Sequence, residues 1–166
     1  MPRSALVSAV LAVVVAAGTL AGCTDSDPHD PSTSASVTDG AQAHADALWA
    51  DRTAYVGDNS KVIALVDEAG FAAPGSYTLS LWTTRPPYAV TIDLAHPAKP
   101  FEQTDFTVAA TILLGTVRNL DAVHVTSQGK TFTLTARQAT TTLGHDVKTL
   151  GTDRQALADY LRSQED

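Results

Sequence analysis

The apolar residues of this chain change period three times between Ser60 and Leu134, and that succession restricts the fold more than any other feature of the sequence. From Ser60 to Ala69 the spacing is helical, with Val62, Ile63, Val66 and Ala69 on one face, Asp58-Asn59 placed as an N-cap and Gly70 as the C-terminal stop. The period then falls to two. Tyr77, Leu79 and Leu81 alternate with Ser76, Thr78, Ser80 and Trp82, and after Arg85-Pro86-Pro87 the residues Tyr88, Val90, Ile92 and Leu94 alternate with Ala89, Thr91 and Asp93. This predicts two half-buried strands, antiparallel because their connection is short. Helical spacing returns from Thr104, with Phe106, Ala109, Ala110, Leu113, Leu114 and Val117 forming the stripe of a core helix. Two more strands follow, with Val123 and Val125 inward on one, Phe132 and Leu134 inward on the next, and Ser127-Gln128-Gly129-Lys130 as the turn.

The flanks of this block read as helix. Ala41 to Tyr55 is alanine-rich, with a thin apolar face at Ala45, Leu48 and Trp49. Thr135-Ala136-Arg137-Gln138 and Thr152-Asp153-Arg154-Gln155 both fit a capping box, which predicts one helix to about Leu143 and another from Asp153 to Arg162. The expected order is α-α-β-β-α-β-β-α-α. Strands apolar on one side, interleaved with amphipathic helices, make the fold class α+β: an antiparallel or mixed four-stranded sheet with helices packed on one face.

The N-terminal segment is of another kind. Arg3 is followed by an uncharged run from Ser4 to Gly22 that ends in Leu20-Ala21-Gly22-Cys23. That profile is a signal peptide, residues 1–22, whose end resembles the lipobox of bacterial lipoproteins, so Cys23 is the expected lipidation site. The alternative is an uncleaved transmembrane anchor. Either way the remainder is expected on the extracytoplasmic face of the cell membrane. Cys23 is the single cysteine, so no intramolecular disulfide and no paired-thiolate zinc site can form. Residues 23–40 hold Ser, Thr, Asp and Pro and little that is apolar, and are expected to be a flexible tether; residues 41–166 then form a single domain.

Charge narrows the partners. Eleven Lys and Arg stand against 18 Asp and Glu, a net −7, and loss of Arg3 with the leader makes it −8. Such a surface repels phosphate backbones, so no nucleic-acid partner is expected, and membrane association falls to the lipid rather than to basic patches.

Tyr55-Val56-Gly57-Asp58-Asn59-Ser60-Lys61-Val62, then Pro87-Tyr88-Ala89-Val90-Thr91-Ile92, then Asn119-Leu120-Asp121-Ala122-Val123 together resemble the family called domain of unknown function 4825, over about Leu48 to Leu134. The resemblance implies an extracytoplasmic module, found on lipoproteins and beside membrane metallopeptidase regulators of the beta-lactam-sensor type. It transfers no activity and no catalytic residue. Gly57 to Lys61 reads in physical terms as a turn and helix cap, with a ligand loop as the alternative.

No metallopeptidase His pair, nucleophile elbow, phosphate-binding loop or dinucleotide glycine pattern occurs, so an enzyme is not expected. His29, His44, His96, His124 and His145 are scattered, and neither a metal nor another cofactor is implied. Strand parity supplies the candidate binding face instead. If the apolar residues face the helices, Ser80, Trp82, Thr91, Asp93, His124 and Thr133 point the other way, and Trp82, Asp93 and His124 are its distinctive members. Trp82 is either open there or covered by the N-terminal helix or the Arg85-Pro86-Pro87 segment. The expectation is a non-catalytic, lipid-anchored binding or sensor module that contacts an envelope protein or small ligand. The alternatives are an accessory or stability factor for another envelope protein and, last, a hydrolase with an unrecognised site.

Overall fold

A computed structural model describes residues 32–73 and 75–165 of the chain. Cys23, the leader and the first part of the expected tether lie outside the described residues. The helices are α1 (Ser32–Asp51), α2 (Asn59–Glu68), α3 (Thr107–Thr116), α4 (Ala136–Leu143), α5 (Thr149–Thr152) and α6 (Arg154–Arg162). The strands are β1 (Tyr77–Trp82), β2 (Ala89–Leu94), β3 (Ala122–Ser127) and β4 (Lys130–Thr135), and a 3-10 turn spans Phe101–Gln103. Against the expected order, the 3-10 turn and α5 are additions.

The four strands form one mixed sheet in the order β1-β2-β3-β4. β1 and β2 are an antiparallel pair, β3 and β4 another, and β2 runs parallel to β3. A parallel pair needs a crossover, which α3 supplies. Gln128 and Gly129 turn β3 into β4 with φ of 50° and 80°. Two consecutive positive φ values give the two-residue turn whose twist suits a hairpin.

The core lies between the inner face of the sheet and the helices, with Val90, Ile92, Leu94, Val123 and Val125 fully covered. α3 packs against β3, β4, α2, α4 and α5, and every residue from Ala110 to Thr116 is buried. From Ala110 on it is therefore a central helix covered all round, not the one-sided stripe its spacing predicts. Thr116 is polar within this buried run, but its hydroxyl donates to Ile112 O at 2.8 Å and needs no water. The outer helical layer tolerates small residues: Ala41, Ala45 and Leu48 of α1 are buried, as are Leu157, Ala158 and Leu161 of α6, and the two helices pack on one another.

Several expectations need correction. α1 begins at Ser32 and ends at Asp51, so it takes in residues 32–40 of the expected tether and stops short of Tyr55. Once packing fixes its C-terminal half, each residue added upstream gains a backbone hydrogen bond without a new nucleation cost. Beyond Asp51, Thr53 instead forms a parallel bridge with Val117. On α2, Ile63 is 39% exposed and Leu65 is buried in its place. The helix starts at a turn, with Asp58 N donating to Tyr55 O and Val62 N to Asp58 O, and neither Asp58 nor Asn59 gives the side-chain cap expected of them. The capping box at Thr135 and Gln138 is present in both directions. The second is not: Asp153 is the N-cap, accepting from Gln155 N and Ala156 N, while the Thr152 hydroxyl donates back to Lys148 O.

The C-terminal end of α3 is held by two devices. Gly151 lies so close to Gly115 that a Cβ on it would stand 2.3 Å from Gly115 O. The approach carries Lys148 to the end of the helix, where its ammonium donates to Leu114 O (2.6 Å), Val117 O (3.1 Å) and Leu120 O (2.7 Å). Leu114 O, an orphan carbonyl of the helix end, is thereby met by a cation, which also suits the negative end of the helix dipole.

Candidate functional site

The register arranges the outer face of the sheet in three cross-strand rows. Trp82, Ala89, Ala122 and Thr135 form one; Ser80, Thr91, His124 and Thr133 the next; Thr78, Asp93, Thr126 and Thr131 the third. Helices pack on the opposite face, where the covered side chains of all four strands point. Trp82, Asp93 and His124 therefore do share the outer face, as strand parity requires.

They do not converge on one point. Trp82 is paired with Ala89, four residues from Asp93, which puts roughly 13 Å of strand between their rows, with His124 in the row between. Each polar member is oriented by a threonine on the neighbouring strand. Thr126 Oγ1 donates to Asp93 Oδ1 at 2.8 Å, and His124 Nδ1 lies 2.9 Å from Thr133 Oγ1. His124 Nε2 makes no hydrogen bond among the described residues. The Trp82 ring is 50% exposed, and its indole N–H donates to Arg85 O at 3.0 Å. That bond fixes the ring at its polar end, while half of the residue stays exposed. An array of hydroxyls, with an aromatic near one end and a carboxylate near the other, can contact a ligand without covalent chemistry.

The sheet edge beside Trp82 is also open. Ala95 N donates to Ser76 O at 3.0 Å, which fixes the phase of the ladder: Thr78, Ser80 and Trp82 exchange hydrogen bonds with β2. Tyr77, Leu79 and Leu81 then turn their N–H and C=O groups outward, and none of these bonds to another described residue. β1 carries neither a charge nor a proline, the usual guards of an edge strand.

Other candidates have structural roles. His44 Nε2 lies 2.7 Å from Glu68 O, joining α1 to the end of α2, and His145 Nδ1 lies 3.2 Å from Asp146 O. Among the described residues no three His, Cys, Asp or Glu side chains come together as a metal site would require. Tyr77 donates to Asp67 at 2.5 Å, and burial, then that carboxylate, push its phenol well above the usual range. Among the described residues no helix is long and apolar enough to cross a membrane.

The segments that carry the family resemblance are stitched to one another. Asn119 Oδ1 accepts from Val56 N, and Asp121 Oδ2 accepts from Tyr88 N, both at 2.7 Å. Tyr88 O in turn accepts from Asp121 N and Ala122 N. Val56, Tyr88, Asn119 and Asp121 thus belong to a clasp between the loop after α1, the start of β2 and the loop before β3. Sequence reading could not find the clasp, because the bonded partners are 63 and 33 positions apart and Val56, Asn119 and Asp121 taken alone are loop residues. A family model described as a domain of unknown function (DUF4825) matches residues 48–139, more than half of the 166-residue chain, whereas no curated protein and no solved structure matches it.

Proposed function

The chain belongs to the DUF4825 family, and from that premise we propose that it is a non-catalytic binding or sensor module, anchored through lipid on Cys23 to the extracytoplasmic face of the cell membrane. The observation that carries the reading is the outer face of the sheet, opposite the described helices, with Trp82 half-exposed among hydroxyl groups. Solvent-exposed aromatics held rigidly in a polar setting supply contact area at small entropic cost, which is why they concentrate at recognition surfaces. The free edge of β1 favours an extended segment of an envelope protein over a compact ligand. Leu79 and Leu81 would pair their outward backbone groups with it, and Trp82 would cover its side chains. Anchoring rests on the leader and on the otherwise unexplained Cys23.

Affinity capture of the intact lipidated chain from membranes in mild detergent tests this reading, with Trp82→Ala and Cys23→Ala run beside it. One envelope protein should be enriched by the unaltered chain and lost with Trp82→Ala. An enriched set unchanged by Trp82→Ala would remove the sheet face from the proposal, and a Cys23→Ala chain that still fractionates with membranes without its leader would remove the anchor.

A further inference from the structure

Away from the sheet, the segment just after α1, the C-terminal end of α3 and the α5 region line an open cavity of about 350 Å³ whose lining includes Arg52, Arg118 and Lys148 and no carboxylate. In a chain with 18 acidic and 11 basic residues, three cations around one cavity run against composition. We propose that this cavity binds a small soluble organic anion bearing carboxylate or phosphate groups.

The three cations have separate parts. Arg118 is exposed, and its guanidinium makes no hydrogen bond or ion pair with any described residue, so its fork of donors is free for a planar, bidentate contact with an oxyanion. Arg52 is already held in place. Its Nη1 donates to Trp49 O at 2.5 Å and its guanidinium lies 3.9 Å from the centroid of the Trp49 ring, which leaves its other N–H groups for the ligand. Lys148 donates all three protons to carbonyls and cannot reach an anion with any of them. It acts as a fixed charge, and it cancels the negative end of α3 that would otherwise repel the ligand. The volume exceeds what an inorganic ion fills and falls within the range of small-molecule sites.

A phospholipid headgroup offers the same chemistry, but α1 is about 30 Å long and the cavity lies at its C-terminal end. The described chain enters α1 at Ser32, so the cavity lies at the end of the helix opposite that entry. Only this preference for a soluble ligand rests on the anchoring proposed above; the anion site itself does not.

Titration calorimetry of the full chain in non-ionic detergent, at about 0.15 M salt so that diffuse attraction is screened, tests the proposal with citrate and pyrophosphate as probes. One of them should bind at a single site with Kd below about 1 mM. Arg118→Gln should weaken it at least about tenfold, as loss of a bidentate charged contact would, while Arg137→Gln on the surface leaves it unchanged. Trp82→Ala should also leave it unchanged, which separates this site from the sheet face. No saturable binding of either probe, or equal weakening by Arg118→Gln and Arg137→Gln, overturns the proposal. Binding to micelles containing phosphatidylglycerol but to neither probe would overturn the choice of a soluble ligand.

Discussion

Replacing Lys148 with Met keeps most of the aliphatic packing and removes the donor shared by Leu114 O, Val117 O and Leu120 O. Leaving a buried acceptor unmet costs about 1–3 kcal/mol; Val117 O keeps its bond from Leu120 N, so Leu114 O and Leu120 O together suggest about 4 kcal/mol at the centre of the range. Two effects oppose this. Burial pushes the Lys148 amine down to about 8, against the pull of Asp121 and Asp146, and Met escapes that penalty, on the order of 3 kcal/mol before solvent screening. Water from the adjoining cavity also reaches part of the exposed carbonyl surface. The net expectation is a loss of about 1–2 kcal/mol, read as a lower urea midpoint at unchanged slope for the full chain in mild detergent. pH supplies a second readout. The folded value of about 8 lies below the unfolded value of 10.5, so between the two the unfolded chain holds a proton that the folded chain has released. Stability of the unaltered chain should then rise with pH across that window relative to Lys148→Met, and the difference should be flat below pH 8. A midpoint unmoved by the substitution, or a difference that falls with rising pH, would refute this account of how α3 is capped.

Three further changes probe the fold. Gly151→Ala brings a Cβ to 2.3 Å from Gly115 O, a backbone atom that cannot swing aside, and should cost about 2 kcal/mol or more in the same urea experiment. Asn119→Ala leaves Val56 N unpaired in a half-buried loop and should cost about 1–3 kcal/mol; hydrogen exchange at Val56, faster than in the unaltered chain, would locate the loss. Leu113→Asp places a charge in the buried run Ala110 to Thr116 of α3 and should abolish the cooperative unfolding transition seen by circular dichroism.

The period of the apolar residues was enough to locate all four strands, because a half-buried strand writes its two faces into alternate residues, as Tyr77 to Leu94 do. The same alternation placed Trp82, Asp93 and His124 on one face. Parity says nothing of separation along a strand, however, and the distance between Trp82 and Asp93 needed the register. Helix details were less legible. Ile63 and Leu65 differ by less than a turn, and which one is buried depends on the neighbours of α2. Thr152-x-x-Gln155 fits a capping box as well as Thr135-x-x-Gln138 does, but α5 claims the Thr152 hydroxyl and leaves Asp153 to cap α6. Lys148 and Arg118 carry no local signal at all. They meet Arg52 only because Gly115 and Gly151 let α3 and α5 touch, a contact between residues 36 positions apart.

Photo-crosslinking in intact membranes addresses the central claim most directly, with a photoreactive residue placed in turn at Ser80 and Thr133 on the outer sheet face and at Ser60 and Gln155 on the helical side. The account predicts a discrete adduct with one envelope protein from Ser80 or Thr133 and none from Ser60 or Gln155. Adducts confined to Ser60 or Gln155, or equal from both sides, would contradict recognition through the sheet.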